Sequence, residues 1–223
     1  MTNLAAHSAV QVAGERLLLL PEKAVFWPAQ SMLIIADIHF GKAASFRALG
    51  VPVPRGTTTE NLAGLDALIE QYGARHVVFL GDFLHARAAH ASSTQLAMLT
   101  WRNTRRDVRL TLVRGNHDKH AGDPAAALGI ELVDEPYAMG PFAFCHHPDL
   151  DLGSSAGYAL AGHVHPAWVL ATRFDSLRLP CFVVGARRMI LPSFGSFTGG
   201  HTVKREAGDA IFVTSGEAVH SVR

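Results

Sequence analysis

Among the short strings of this chain, Gly115-Asn116-His117-Asp118 is the hardest to ascribe to chance. At these residue frequencies it is expected roughly 0.001 times. Elsewhere stand Asp37-x-His39, Gly81-Asp82, the pair His146-His147 and Gly162-His163-Val164-His165. An Asp-x-His is expected roughly 0.6 times and a His-x-His roughly 0.8 times, so neither carries weight alone. The combined set offers carboxylates, imidazoles and an amide, with no cysteine. Such donors suit Mn, Fe and Zn, and the missing cysteines argue against a structural zinc or an iron–sulfur cluster. A carboxylate can bridge two cations about 3.5–4 Å apart. Such a pair clamps the attacking and leaving oxygens of an in-line phosphoryl displacement and lowers the pKa of a bound water.

These residues need elements that bring them together. Each follows a short apolar run: Met32–Ala36 before Asp37 and His39, 77–80 before Asp82, 110–113 before Asn116, 142–145 before His146, and Tyr158–Ala161 before His163 and His165. In open α/β sheets ligands bind beyond the carboxyl ends of strands, so five distant segments can share one site. Gly81, Gly115 and Gly162 suit tight turns or close backbone approach just before a ligand. The spacing predicts a helix over Thr57–Tyr72, with a Thr57–Glu60 capping pair, a stripe of Leu62, Leu65, Leu68, Ile69 and Tyr72, and a stop at Gly73. A second helix is expected over about 92–106 with a Ser92–Gln95 capping pair, and a short one from Asp123 and Pro124. Strands at 76–80 and 108–113 separate these helices. After Ile130 strands follow one another, at about 130–133, 142–145, 158–161, 167–171, 177–184, 188–191 and 210–214. Strand–helix units followed by a run of strands imply an α/β sandwich with a mixed sheet. No linker or repeat interrupts the chain, so 1–223 reads as a single domain.

Composition sets the outer bounds. Hydrophobic residues make up 48% and charged residues 17% of 223, a globular composition. A net charge of +1 excludes a general polyanion trap, so any nucleic-acid contact must be local. The two cysteines, Cys145 and Cys181, lie in apolar runs and read as buried reduced thiols. No apolar stretch is long enough to span a membrane, residues 17–20 are too short for a signal peptide, and the cytoplasm is the expected location. Thirteen histidines against three tyrosines is an excess that suits metal ligation or acid–base work. His76, at a helix–strand junction, reads as structural.

The ordered motifs, taken together, resemble the calcineurin-like metallophosphoesterase superfamily, whose fold is a sandwich of two mixed sheets flanked by helices, with metals at the strand ends. Residues 36–62, 77–87, 178–182 and 191–200 are similar to the PdeM family, bacterial phosphoesterases described as ligase-associated DNA damage response endonucleases. The resemblance runs from about Leu17 to Thr214. It implies two divalent ions, with Mn favoured and Fe or Zn as alternatives. Asp37, His39 and His165 would hold one ion, Asn116, His146 and His163 the other, and Asp82 would bridge them. His117 would stabilise the transition state or protonate the leaving oxygen, and Asp118 would orient His117 by a hydrogen bond. The family pattern prefers His146 to His147 as the ligand. His85 has the spacing of a phosphate-facing histidine in Mre11-like nucleases.

Weaker candidates remain. Arg47, Arg55, Arg187 and Arg188 could meet phosphates, since guanidinium forks suit them, although a solvated face is the better reading for each taken singly. His120 reads as solvent-facing. The glycine-rich GSFTGG around Phe197 could shape a phosphate-facing loop but lacks the lysine of a P-loop. The resemblance implies a DNA endonuclease of DNA repair, acting on single-stranded or distorted DNA beside a helicase and a ligase. Two other readings stand: a hydrolase of small nucleotide phosphoesters, and a metal-bound docking module without catalysis.

Overall fold

The computed structural model describes residues 6–53, 56–152 and 157–222. Three apolar runs form its centre. Strands β4 (Met32–Ala36), β5 (His76–Leu80) and β6 (Arg109–Val113) pair in parallel, with Met32 beside His76 and His76 beside Arg109. A strand covered on both faces needs apolar residues at both parities. Here Leu33, Ile35, Val77, Phe79, Leu110 and Leu112 face one core. Ile34, Ala36, Val78, Leu80 and Val113 face another.

The first core lies under the helices. Helix α2 (Thr57–Tyr72) contributes Leu62, Leu65, Leu68 and Ile69, and α3 (Ser92–Thr104) contributes Met98. Gly73 ends α2 in the left-handed region at φ 61°, its N–H bonded to the carbonyls of Glu70 and Ile69. Both expected capping pairs are corrected. Gly56, at φ 102°, precedes α2, so Thr57 is already helical and cannot cap. Ala91 precedes α3 and makes no side-chain cap. The helix expected from Asp123 does not form; the Asp123 carboxylate instead meets Arg114, at 2.9 and 3.1 Å. A six-residue helix, α4 (Asn116–Ala121), stands just before it, and only one 3-10 turn, Ala126–Leu128, follows.

The first sheet has seven strands in chain order. Strands β1 (Ser8–Val12), β2 (Glu15–Leu19) and β3 (Val25–Trp27) lead antiparallel into β4, and β7 (Ile130–Val133) closes the parallel edge. The second sheet is mixed and faces the second core. Its path runs β14 (His201–Thr202), β11 (Pro166–Ala171), β12 (Ser176–Val184), β13 (Arg188–Ile190), β10 (Tyr158–Ala161), β9 (Phe142–Phe144), β8 (Tyr137–Met139). Strands β15 (Ala210–Thr214) and β16 (Val219–Val222) extend from β12. Phe142, Phe144, Leu160, Phe182 and Met189 of this sheet pack on Ile34, Val78 and Leu80 of the first. The result is two mixed sheets flanked by a few helices. Cys145 and Cys181 are buried free thiols, pushed up to about 12 by burial. Among the described residues no helix is long and apolar enough to cross a membrane.

Candidate metal centre

The carboxyl ends of β4, β5, β6, β9 and β10 meet on one edge of the sandwich. A parallel bridge between Ala36 and Ser193 ties the two sheets together at that point. Asp37, His39, Asp82, Asn116, His146, His163 and His165 converge there. Four overlapping trios place their ligand atoms within 4.8 Å of one another: Asp37/His39/His165, Asp37/Asp82/His146, His146/His147/His163 and His39/His85/His117.

The hydrogen-bond geometry says what the cluster lacks. His146 Nδ1 lies 3.0 Å from the Leu80 carbonyl, so that nitrogen carries the ring proton. Burial pulls His146 down to about 4, which keeps the ring neutral. Its Nε2 then offers only a lone pair. It faces Asn116 Oδ1 at 2.8 Å, His163 Nδ1 at 3.0 Å and Asp82 Oδ1 at 3.5 Å. A second nest mirrors the first. His165 Nδ1 lies 3.2 Å from the Gly199 carbonyl, which turns its Nε2 lone pair toward His39 Nε2 at 3.4 Å and Asp37 Oδ2 at 3.7 Å. His39 Nε2 is 3.6 Å from Asp82 Oδ2, and burial holds the His39 ring far below the imidazole range. Asp37 Oδ1 is buried with no hydrogen-bond partner. Acceptors crowded against acceptors repel unless a cation lies between them. Two such nests sharing Asp82 fit two divalent ions, with oxygen and nitrogen donors throughout.

The backbone is bent to build this arrangement. Asp37, His39, Asp82, His163 and His165 all have φ between 49° and 69°. A non-glycine residue there costs about 1–3 kcal/mol, and such strain gathers at functional sites. The glycines give room. A Cβ on Gly81 would stand 2.2 Å from His146 Nδ1, and one on Gly162 would stand 2.7 Å from Asp37 Oδ2.

His117 and His85 form the outer wall. Their rings stack at 5.0 Å between centroids, and each meets His39 edge-on. His117 Nδ1 lies 2.8 Å from the His85 carbonyl, so its Nε2 is the nitrogen turned toward Asp82 Oδ2, at 3.9 Å. The expected bond from Asp118 to this ring is therefore corrected. The Asp118 carboxylate instead accepts from the amides of Leu84 and Gly115, at 3.0 and 2.9 Å, and burial raises it to about 6. It pins the turns after β5 and β6 and is a positioning residue.

Of the remaining candidates, His147 Nδ1 is bound at 2.6 Å to Glu135 on the outside of the loop, whereas the His146 ring is fully buried in the cluster. His120 is exposed, with its Nδ1 on the Asn116 carbonyl. Arg187 and Arg188 lie at the wrong end of the second sheet: Arg188 sits opposite Ala159 at the start of β10's parallel neighbour and pairs with Asp149 and Glu206. Arg47 bonds the Val53 carbonyl at 3.4 Å from helix α1 (Lys42–Ala48), and Arg55 lies outside the described residues. His76 is bonded to Thr111 within the sheet, as a structural histidine.

Three contributors escaped the sequence reading. Glu135 accepts the amides of His146 and His147 at 2.7 and 2.9 Å and so fixes the loop that aims His146. It stands two residues past strand β7, Ile130–Val133, whose run is interrupted by Glu131 and so gives a weaker signal than the apolar runs before the ligands. Asn61, buried on the apolar face of α2, donates to the Ile38 carbonyl and accepts the Ser196 amide. A polar residue on an apolar stripe was its signal. Lys42 is lowered by burial and partly restored by Asp37 and Asp82, which places its charge beside the cluster.

Residues 31–179 match the calcineurin-like phosphoesterase family. A solved nuclease, MPE of Pseudomonas putida, is 39% identical over 97% of this chain and 100% of its own, with a TM-score of 0.85. A protein of unknown function from Aquifex aeolicus, AQ665, is 19% identical over 60% of this chain and 78% of its own, at a TM-score of 0.43. The E. coli phosphoesterase YfcE is 14% identical over 86% of this chain and 97% of its own, at 0.40. These last two scores carry no argument. No curated protein sequence matches the chain.

Proposed function

This chain belongs to the calcineurin-like phosphoesterase family and is a metal-dependent phosphoesterase; we propose that it is a two-metal phosphodiesterase that cuts DNA. The observation that carries the metal chemistry is the pair of acceptor-rich nests joined at Asp82, whose carboxylates receive, among the described residues, only the amides of His117 and His163. Asp37, His39 and His165 would hold one ion, Asn116, His146 and His163 the other, and Asp82 would serve both; Mn is the favoured metal. Two such cations supply an acidified water and charge stabilisation of the phosphoryl oxygens. The chain's own groups do the rest. His117 keeps its Nδ1 proton on the His85 carbonyl and delivers a proton from Nε2 to the leaving oxygen. His85, stacked on His117, faces the phosphate. Asp118 and Glu135 hold the loops that carry His117 and His146.

The choice of DNA is supported by the likeness to the Pseudomonas nuclease and by the sequence similarity to a family linked to DNA repair. That similarity alone supports a repair setting with a helicase and a ligase. A net charge of +1 favours single-stranded or distorted DNA over unaided duplex binding. The core shared by both sheets supports one domain over 1–223.

The test compares bis-nitrophenyl phosphate with nitrophenyl phosphate, then single-stranded with duplex DNA, in Mn, with Asp82→Ala as the contaminant control. The expected order is diester above monoester and single strand above duplex. Strong monoesterase activity with no oligonucleotide cleavage in any metal would favour the hydrolase of small nucleotide phosphoesters. Metal binding without turnover would favour the docking module.

A further inference from the structure

Beside the metal centre lies a cavity of about 280 Å³ that the catalytic roles leave unused. His165 is common to both spaces. Its Nε2 faces the metal nest, while its Nδ1 meets the carbonyl of Gly199, which lines the cavity. Ser193, another lining residue, donates to the Asp37 carbonyl at 2.7 Å. A ligand in the cavity is therefore separated from the centre by single side chains.

The lining is electropositive. It contains Lys23 and Arg178 and no aspartate or glutamate. Lys23 spends two of its three N–H donors on the carbonyls of Phe194 and Gly195, at 2.9 and 3.4 Å, and so holds the lining segment in place. Arg178 is exposed. The guanidinium groups of Arg75, Arg105, Arg109, Arg114 and Arg188 each meet a carboxylate, whereas Arg178, like Arg16, Arg87 and Arg173, meets none among the described residues. Arg178 borders this cavity from strand β12. The glycine-rich segment completes the wall. A Cβ on Gly200 would press on the Ala167 side chain at 2.9 Å, so glycine here lets the segment pack on strand β11, with Arg178 Nη2 3.9 Å from the same point. A fork of donors with no counter-ion, facing a small cavity free of carboxylates, selects a phosphate or carboxylate group. The volume lies below the ~300–1,000 Å³ of sites that enclose a whole small molecule, so it suits one unit of a longer ligand.

We infer that this cavity is the subsite for the phosphate flanking the scissile one in a polynucleotide, with Arg178 as its binding residue. The inference rests on the nuclease reading and adds a determinant of substrate class: polynucleotides over isolated diesters. Arg178 acts on substrate capture and not on bond cleavage.

The experiment measures kcat and KM of wild type, Arg178→Ala and Arg178→Lys in Mn on a single-stranded oligonucleotide and on bis-nitrophenyl phosphate, which has no flanking phosphate. Arg178→Ala should lower kcat/KM on the oligonucleotide about tenfold, mostly through KM, as loss of one charge-assisted contact does. Its rate on bis-nitrophenyl phosphate should stay within about twofold, which also reports an intact fold. Arg178→Lys should recover part of the loss. An oligonucleotide with one methylphosphonate beside the cleaved linkage should lower the wild type by the same factor and Arg178→Ala no further, because the two changes remove one contact. Additive losses, equal defects on both substrates, or an unchanged oligonucleotide rate would overturn the subsite while leaving the nuclease reading intact. A wild type that hydrolyses bis-nitrophenyl phosphate but cuts no oligonucleotide would overturn both.

Discussion

The two ends of strand β5 both carry buried polar groups, and they solve the problem of burial differently. At the amino end, His76 Nε2 lies 2.9 Å from Thr111 Oγ1, Thr111 donates to Glu131 at 3.0 Å, and Arg109 meets the same carboxylate at 2.7 Å. Every acceptor there has a donor, and the backbone is regular strand. At the carboxyl end, Asp82 sits at φ 49° among lone pairs that point at one another. Burial and polarity are common to both ends. What distinguishes the functional end is a donor deficit that the amides of His117 and His163 fill only in part, leaving Asp37 Oδ1 without a partner, together with a strained backbone that keeps the deficit open. Buried acceptors without donors are costly, so their persistence marks a place where a cation belongs.

The largest effect expected from this contrast is at Asp82. Asp82→Ala should lose both ions together and all measurable turnover, since one carboxylate serves both nests. The wild type should gain thermal stability with Mn, about 2.7 kcal/mol for each ion at a hundredfold excess over its Kd, and the variant should gain none. Full metal occupancy in Asp82→Ala by elemental analysis would break the contrast, because the acceptors would then be satisfied without the bridge. His117 comes next. His117→Ala should keep its metals and lose about 10²–10⁴-fold in rate on a diester with a poor leaving group. The defect should shrink for a nitrophenolate leaving group, which needs little protonation. Wild-type rates on both substrates would remove His117 from the chemistry.

The same contrast explains what could be read from sequence. Strands β4, β5 and β6 were legible because strands buried on both faces are written as apolar runs, and a ligand candidate follows each run within three residues: Asp37, Asp82 and Asn116. Helix α2 was legible from its stripe and from Gly73. The helix starts were not, because a cap depends on the φ of the preceding residue, and Gly56 and Ala91 displaced the expected Thr57 and Ser92. The bond from Asp118 to His117 failed for a geometric reason. Both lie on α4, where adjacent side chains point about 100° apart and do not face each other. Arg187 and Arg188 fit the solvated-face reading: β13 runs parallel to β10, and both residues stand at its amino end, away from the site. Helix α1 and the antiparallel strands β1–β3 carry no strong start or turn signal, and only the tertiary context fixes them.

The smallest effect expected lies at the satisfied end. Burial, aided by Arg109 and opposed by Glu131, pulls His76 down to about 4 from 6.5. A histidine lowered on folding binds fewer protons in the native state than in the unfolded chain across that window. Stability therefore rises with pH between about 4 and 6.5, is fully present above it, and is lost as pH falls through it. His76→Gln keeps a donor for Thr111 but cannot titrate. Urea unfolding in Mn from pH 4 to 8 should give the variant a shallower acid limb, by at most about 1.4 kcal/mol per pH unit. The metal-centre histidines are unchanged between the two proteins, so their contribution cancels in the difference. Identical acid limbs would mean that the Thr111–Glu131 network accepts a charged imidazole as readily as water does. The amino end of β5 would then not be the neutral, self-satisfied counterpart of the metal centre.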